Sequence, residues 1–170
     1  MAVPAFLSTI ESSDLSTWIR ETESPVGFYF ILLFHNIGLA AAVGTSVFVG
    51  LRLRGFAPDL PIAPLKKFFT ILWTGAWISA VSGVFLLIAY PTKALTNPVF
   101  YIKLTLIGVG VWIMLRIEKL VFDDASASED VKLARGKSLT AWSFVVWIAA
   151  ISAGRLLAYT FRYLLYGRHG

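Results

Sequence analysis

Three side chains in this sequence have the types and placement for chemistry inside an apolar environment: His35, Lys103 and Arg155. His35 is the only histidine within a long hydrophobic run; the other, His169, closes a polar tail and reads as solvated. An ionisable group in hydrocarbon is costly, so it raises a functional question by default. Imidazole is a usual ligand of haem iron, which makes His35 the candidate metal ligand. A haem b would offer iron to His35 and two propionates to Lys103 and Arg155. A quinone would take His35 and a cation at its carbonyl oxygens. An anionic lipid or substrate would use the two cations and need the imidazole less.

Each residue also has a structural role open to it. A lone intramembrane histidine can lock two helices together by bonding a backbone carbonyl. Lys103 and Arg155 lie close enough to span ends to snorkel toward headgroups. The five tryptophans Trp73, Trp77, Trp112, Trp142 and Trp147 suit belt and core positions.

The elements that must position these residues are membrane helices. Of 170 residues, 57% are hydrophobic and 15% charged, against about a quarter charged in soluble domains. Apolar runs near 26–51, 65–90, 98–118 and 137–162 are each long enough to cross a bilayer. They fill most of the chain, which predicts a single all-α integral membrane domain, a four-helix transmembrane bundle. Residues 4–22 carry Phe6, Leu7, Ile10, Trp18 and Ile19 at helical spacing, predicting an N-terminal amphipathic interfacial helix. The start of the chain lacks the positive region of a cleavable signal peptide. Pro-rich residues 55–64, the Tyr90-Pro91 to Asn97-Pro98 segment and the acidic stretch 123–130 are the connections. Cysteine is absent, which excludes disulfides, cysteine-ligated clusters and thioether-bound haem.

Basic residues set the orientation. Arg52, Arg54, Lys66, Lys67, Arg116, Lys119, Lys132, Arg135 and Lys137 fall in the first and third connections; only Arg20, Lys93, Arg162 and Arg168 fall on the opposite side. The positive-inside rule then puts both termini outside the cytoplasm, as in a multi-pass protein of a bacterial inner membrane with periplasmic termini. The net charge of +5 is accounted for by this topology rather than by nucleic acid.

Depth and facing bring the candidates together. At 1.5 Å per residue, His35 lies about 12–14 Å into the first span and Lys103 roughly 8 Å into the third. Arg155 lies near the end of the fourth, so all three belong to the outer half of the bilayer. Gly38, Ala42, Ser46 and Gly50 share the His35 face as a small-residue ridge that lets helices approach closely. Gly75, Ser79 and Gly83 form a similar ridge on the second span. Lys103 shares a face with Gly110 and Met114, and Arg155 with Tyr159 and Arg162. The expected cofactor-binding set is His35, Lys103, Arg155, Tyr159 and Gly38. Met114 lies about 16 Å along its helix from Lys103, a poor second axial ligand for haem.

The segments His35-Asn-Ile-Gly-Leu-Ala, Leu51-Arg-Leu-Arg-Gly55, Asn97-Pro-Val-Phe-Tyr-Ile-Lys103 and Ala153-Gly-Arg-Leu-Leu-Ala-Tyr159 resemble a family of uncharacterised bacterial four-span membrane proteins. Members often carry an acidic residue one turn before the histidine and an Asp before the Leu-Arg pair; those positions here are Leu32 and Gly50. More distantly, the layout resembles the four-helix group that includes HemJ-type protoporphyrinogen oxidases and CopD-like copper proteins. That resemblance implies roles for His35, Arg52 and Lys103, with the histidine at haem b and the lysine in activity.

Together these observations lead to the expectation of a membrane redox subunit that binds haem b or quinone through His35 near the periplasmic face. Its partners would be the lipid bilayer and a membrane or periplasmic redox protein, with oligomerisation left open and nucleic acid excluded. The alternatives are a non-redox anchor whose polar residues are structural, and a small membrane oxidoreductase of the porphyrinogen-oxidising type.

Overall fold

The computed structural model describes residues 4–22, 27–124 and 126–166, without the side chains of 161–166. All regular structure among them is helical. Four helical stretches, Phe28–Leu53, Ala63–Ala89, Pro98–Asp123 and Glu129–Thr160, are long and apolar enough to cross a membrane. The expected first-span start at residue 26 lies outside the described residues, as do Arg168 and His169.

The elements are α1 (Ala5–Glu11), α2 (Asp14–Glu21), α3 (Phe28–Leu53), a 3-10 turn (Ala63–Lys67), α4 (Phe68–Ala89), α5 (Pro91–Leu95), α6 (Pro98–Ile117), a π-helical turn (Glu118–Asp123) and α7 (Glu129–Tyr166). Short connections pair α3 with α4 and α6 with α7 as hairpins, and the hairpins join along α3 and α7. One end of the bundle carries the α3–α4 and α6–α7 connections and is here the loop end. The other carries α1, α2 and α5 and is the terminal end.

Residue size explains how the helices approach. At the α3–α4 crossing, a Cβ on Gly38 would sit 2.6 Å from the Gly75 oxygen, and one on Gly75 would sit 2.7 Å from the Gly38 oxygen. Only glycine fits at such a crossing. The expected ridge of Gly38, Ala42, Ser46 and Gly50 is buried along its length. Between α4 and α6 the backbones stand apart, and long side chains bridge them: Trp73 Nε1 donates to Glu118 Oε2 at 2.9 Å. The tightly packed core lies toward the loop end, where Val49, Leu53, Phe69, Leu72, Ile113, Met114 and Ile117 meet.

A buried polar cluster ties three helices together above that core. Ser46 Oγ lies 3.0 Å from Ser143 Oγ, donates to Met114 Sδ at 3.1 Å and accepts from Trp147 Nε1 at 3.1 Å. Gly110 makes room for the Trp147 ring, since a Cβ there would lie 3.1 Å from it. Of the expected belt and core tryptophans, Trp147 is core, whereas Trp77, Trp112 and Trp142 point outward.

Local signals set the ends. Asn97 caps α6 by accepting from the Val99 amide at 3.0 Å, with Pro98 in the first turn. The helix ending the chain starts at Glu129, earlier than the apolar run, because Glu129 and Asp130 suit a helix N-terminus and carry it beyond the apolar layer. Lys132, Arg135 and Lys137 are therefore helical. The N-terminal segment is two short helices rather than one, broken where Ser13 caps α2 by accepting from the Ser16 amide at 3.3 Å. Leu7 and Ile19 are buried against the protein, while Phe6, Ile10, Leu15 and Trp18 remain exposed.

Arg52 is not the exposed topology anchor its loop position implies. It is 4% exposed, and its guanidinium donates to the carbonyls of Leu60 and Pro58 and, at 3.3 Å, to Glu129. It thereby folds the first connection back onto the bundle.

Candidate functional site

Where the core thins toward the terminal end, α3, α4, α6 and α7 line a partly open cavity of about 210 Å³, with α5 beside it. Its walls are mostly apolar and aromatic, with Phe28, Leu32, Leu86, Tyr90, Phe100 and Leu157 among them. His35, Lys103, Lys93 and the Tyr90 hydroxyl give it polarity. Apolar walls with a few convergent polar groups are the usual make-up of a small-molecule site.

His35 reaches the cavity from α3 and is fixed by α4. Its Nδ1 lies 2.8 Å from the backbone oxygen of Ser79 and 3.3 Å from Ser82 Oγ. A carbonyl oxygen can only accept, so Nδ1 carries a proton and donates it. In the neutral ring Nε2 is then left with its lone pair. Nε2 makes no hydrogen bond among the described residues. Gly83 completes the seat: a Cβ there would stand 3.2 Å from His35 Cε1. Ser82 is itself anchored, donating to the Ile78 carbonyl at 2.6 Å.

Lys103 enters from α6. Its stem lies against Gly154 of α7, where an added Cβ would be 3.7 Å from Cε and 3.9 Å from Nζ. The side chain is half-buried and makes no hydrogen bond or ion pair among the described residues. Lys93 comes from α5, its Nζ 5.9 Å from the centre of the Tyr90 ring.

The structure thus brings His35 and Lys103 to one cavity, but not the other expected members of the set. Arg155 and Tyr159 are exposed and absent from the lining. Each residue turns an α-helix by about 100°, so Arg155 points away while its neighbour Gly154 faces Lys103. Gly38 is part of the α3–α4 crossing rather than of the cavity wall. Met114 is held in the core by Ser46 and Ser143, away from the site.

Ser79, Ser82 and Gly83 are the site residues that sequence reasoning missed as such. The signal was the Gly75, Ser79, Gly83 ridge, whose spacing matches the face opposite His35. Leu32, one turn before His35, lines the cavity. Among the acids of the N-terminal segment, Glu11 is engaged by Arg20 at 3.4 Å and by the Thr92 hydroxyl, so it ties α1 and α2 to α5. The described residues hold no group of three or more His, Asp or Glu side chains fit for a metal ion.

Neither a family model nor a curated protein nor a solved structure matches the chain.

Proposed function

We propose that this chain is a multi-pass protein of a bacterial inner membrane and serves as a redox subunit, with a quinone bound in the His35 cavity. The supporting observation is the pairing of an imidazole, donating through Nδ1 to the Ser79 carbonyl, with the Lys103 ammonium in one apolar cavity. When bound, a quinone supplies two-electron, two-proton chemistry. The chain's own part is to hold its oxygens and manage a proton. His35 Nε2 accepts a hydrogen bond, and a proton, from a ring hydroxyl. The Ser79 carbonyl stabilises the imidazolium that results. Lys103 donates to the opposite oxygen. Phe28, Tyr90 and Phe100 exclude water and offer ring faces for stacking.

Haem b is the second occupant to consider, because a ligating imidazole is commonly held through its other nitrogen by a carbonyl. His35 would supply one axial bond. Lys103 and Lys93 are the other side-chain nitrogens that line the same space, and neither completes the histidine pair common at haem b.

The basic connections support a cytoplasmic loop end, with the His35 cavity near the periplasmic face. On that side, the exposed Phe6, Ile10, Leu15 and Trp18 of α1 and α2 would enter the membrane interface.

Solvent extraction and an absorption spectrum of the purified protein test the assignment. Extractable quinone without a Soret band, reduced in His35→Ala, supports the quinone site. A Soret band lost in His35→Ala transfers the site to haem. A colourless protein without quinone leaves His35 a helix-locking residue and the chain a membrane anchor.

A further inference from the structure

Building on the quinone reading, we propose that the cavity selects ring ligands that carry a negative charge beside a carbonyl, such as an ionised hydroxyquinone, and that Lys103 determines this selectivity. Three observations converge on it. First, Lys103 is half-buried with no hydrogen bond or ion pair among the described residues. Second, among the described residues no acidic side chain lines the cavity; the polar groups there are His35, Lys103, Lys93 and the Tyr90 hydroxyl. Glu11, on the same end, is committed to Arg20 and Thr92. Third, the lysine stem lies across Gly154, where an added Cβ would stand in ordinary van der Waals contact with it at 3.7 Å, so α7 packs against the stem and holds it beside the cavity.

A cation taken from water is costly unless it gains a partner of opposite charge. No described residue of the walls supplies one, so the charge balance falls to the ligand. A neutral quinone offers Lys103 only a carbonyl dipole. An ionised ring oxygen offers a full opposite charge, and the Coulomb attraction of such a pair grows in a surrounding of low dielectric constant. His35 reinforces the choice once protonated, when Nε2–H can donate to the ligand; in the neutral ring Nε2 is an acceptor and leaves the choice to Lys103.

Two naphthoquinones of similar size separate the possibilities: 2-hydroxy-1,4-naphthoquinone, ionised at neutral pH, and its neutral 2-methoxy analogue. Affinities are measured by equilibrium dialysis on the full chain in non-ionic detergent, at neutral pH and fixed salt. The hydroxy compound should bind roughly tenfold or more tightly than the methoxy compound. Lys103→Gln should abolish that preference and Lys103→Arg should retain it, with helicity checked by circular dichroism. Equal binding of both probes to the native chain overturns the selectivity but leaves the quinone site standing. A preference that survives in Lys103→Gln overturns the role of Lys103. Failure of both probes to bind overturns the quinone site itself. Because the comparison on the native chain needs no variant, a misfolded Lys103→Gln cannot shield the proposal.

Discussion

His35 Nδ1 lies 2.8 Å from the backbone oxygen of Ser79, across the interface between α3 and α4. This bond fixes which ring nitrogen carries the proton and joins two helices whose glycines are in near-backbone contact. Replacing His35 by Ala should lower affinity for the reduced, hydroxyl-bearing quinol roughly 2- to 10-fold through the lost hydrogen bond to Nε2, and by more where the proton is moved. His35→Gln should preserve part of the helix contact without a proton-accepting ring. Retained folding with lost binding in both variants, measured by circular dichroism and ligand dialysis, is the expected result.

Gly83 and Gly75 should respond differently to the same substitution. At Gly83 the added methyl meets His35 Cε1 at 3.2 Å, so Gly83→Ala should shift the ring by a few tenths of an ångström and weaken ligand binding with little loss of stability. At Gly75 it meets the Gly38 oxygen at 2.7 Å and the Ala42 amide at 2.9 Å, which cannot yield without parting the helices. Gly75→Ala should therefore cost about 1–3 kcal/mol by overpacking. Unfolding and binding measurements on both variants provide the check.

Arg52→Met should destabilise the loop end. The guanidinium is nearly fully buried and donates to the carbonyls of Pro58 and Leu60. Its loss removes charged hydrogen bonds worth about 1.5–3 kcal/mol each where they are well shielded. Glu129 adds little, because its side chain is 61% exposed. Faster limited proteolysis within residues 54–62 is the expected sign.

Asp124, in the connection before α7, gives a pH prediction. The Ser126 hydroxyl and the Arg135 guanidinium hold its carboxyl at about 2, below the ordinary 3.8. A carboxyl depressed in the folded state contributes its stabilisation fully above the ordinary value, and loses it as pH falls through about 2. Ser126→Ala should move the titration midpoint upward, as should Arg135→Gln. Carboxyl carbon shifts in NMR would follow both; unmoved midpoints would contradict the assignment.

Topology is testable with reporter fusions. Fusions at Gly55 and Ser126 should report the cytoplasm, and one at the C-terminus the opposite side. The reverse pattern would place the His35 cavity toward the cytoplasm.

Much of the architecture was already legible in the residues. Apolar run length set four long helices, since a helix crossing a bilayer needs a nearly unbroken stretch of about 20 apolar residues. The spacing of Gly38, Ala42, Ser46 and Gly50 marked the face that packs, because small residues four apart line one side of a helix. Asn97-Pro98 marked the start of α6. What one-dimensional spacing did not fix was azimuth between helices. Arg155 and Gly154 are neighbours at the same depth, yet only the glycine faces Lys103. Depth is read by counting residues, whereas facing depends on how α6 and α7 rotate to bury Trp147 against Gly110. The partners of His35 were likewise a tertiary outcome: a Ser79 carbonyl is invisible as a side-chain motif, and it meets the ring because the Gly38–Gly75 contact draws α3 and α4 close enough for the hydrogen bond. Arg52 shows the same division. Its charge and position marked a span end, but its burial depends on the path by which residues 58–60 turn back over it.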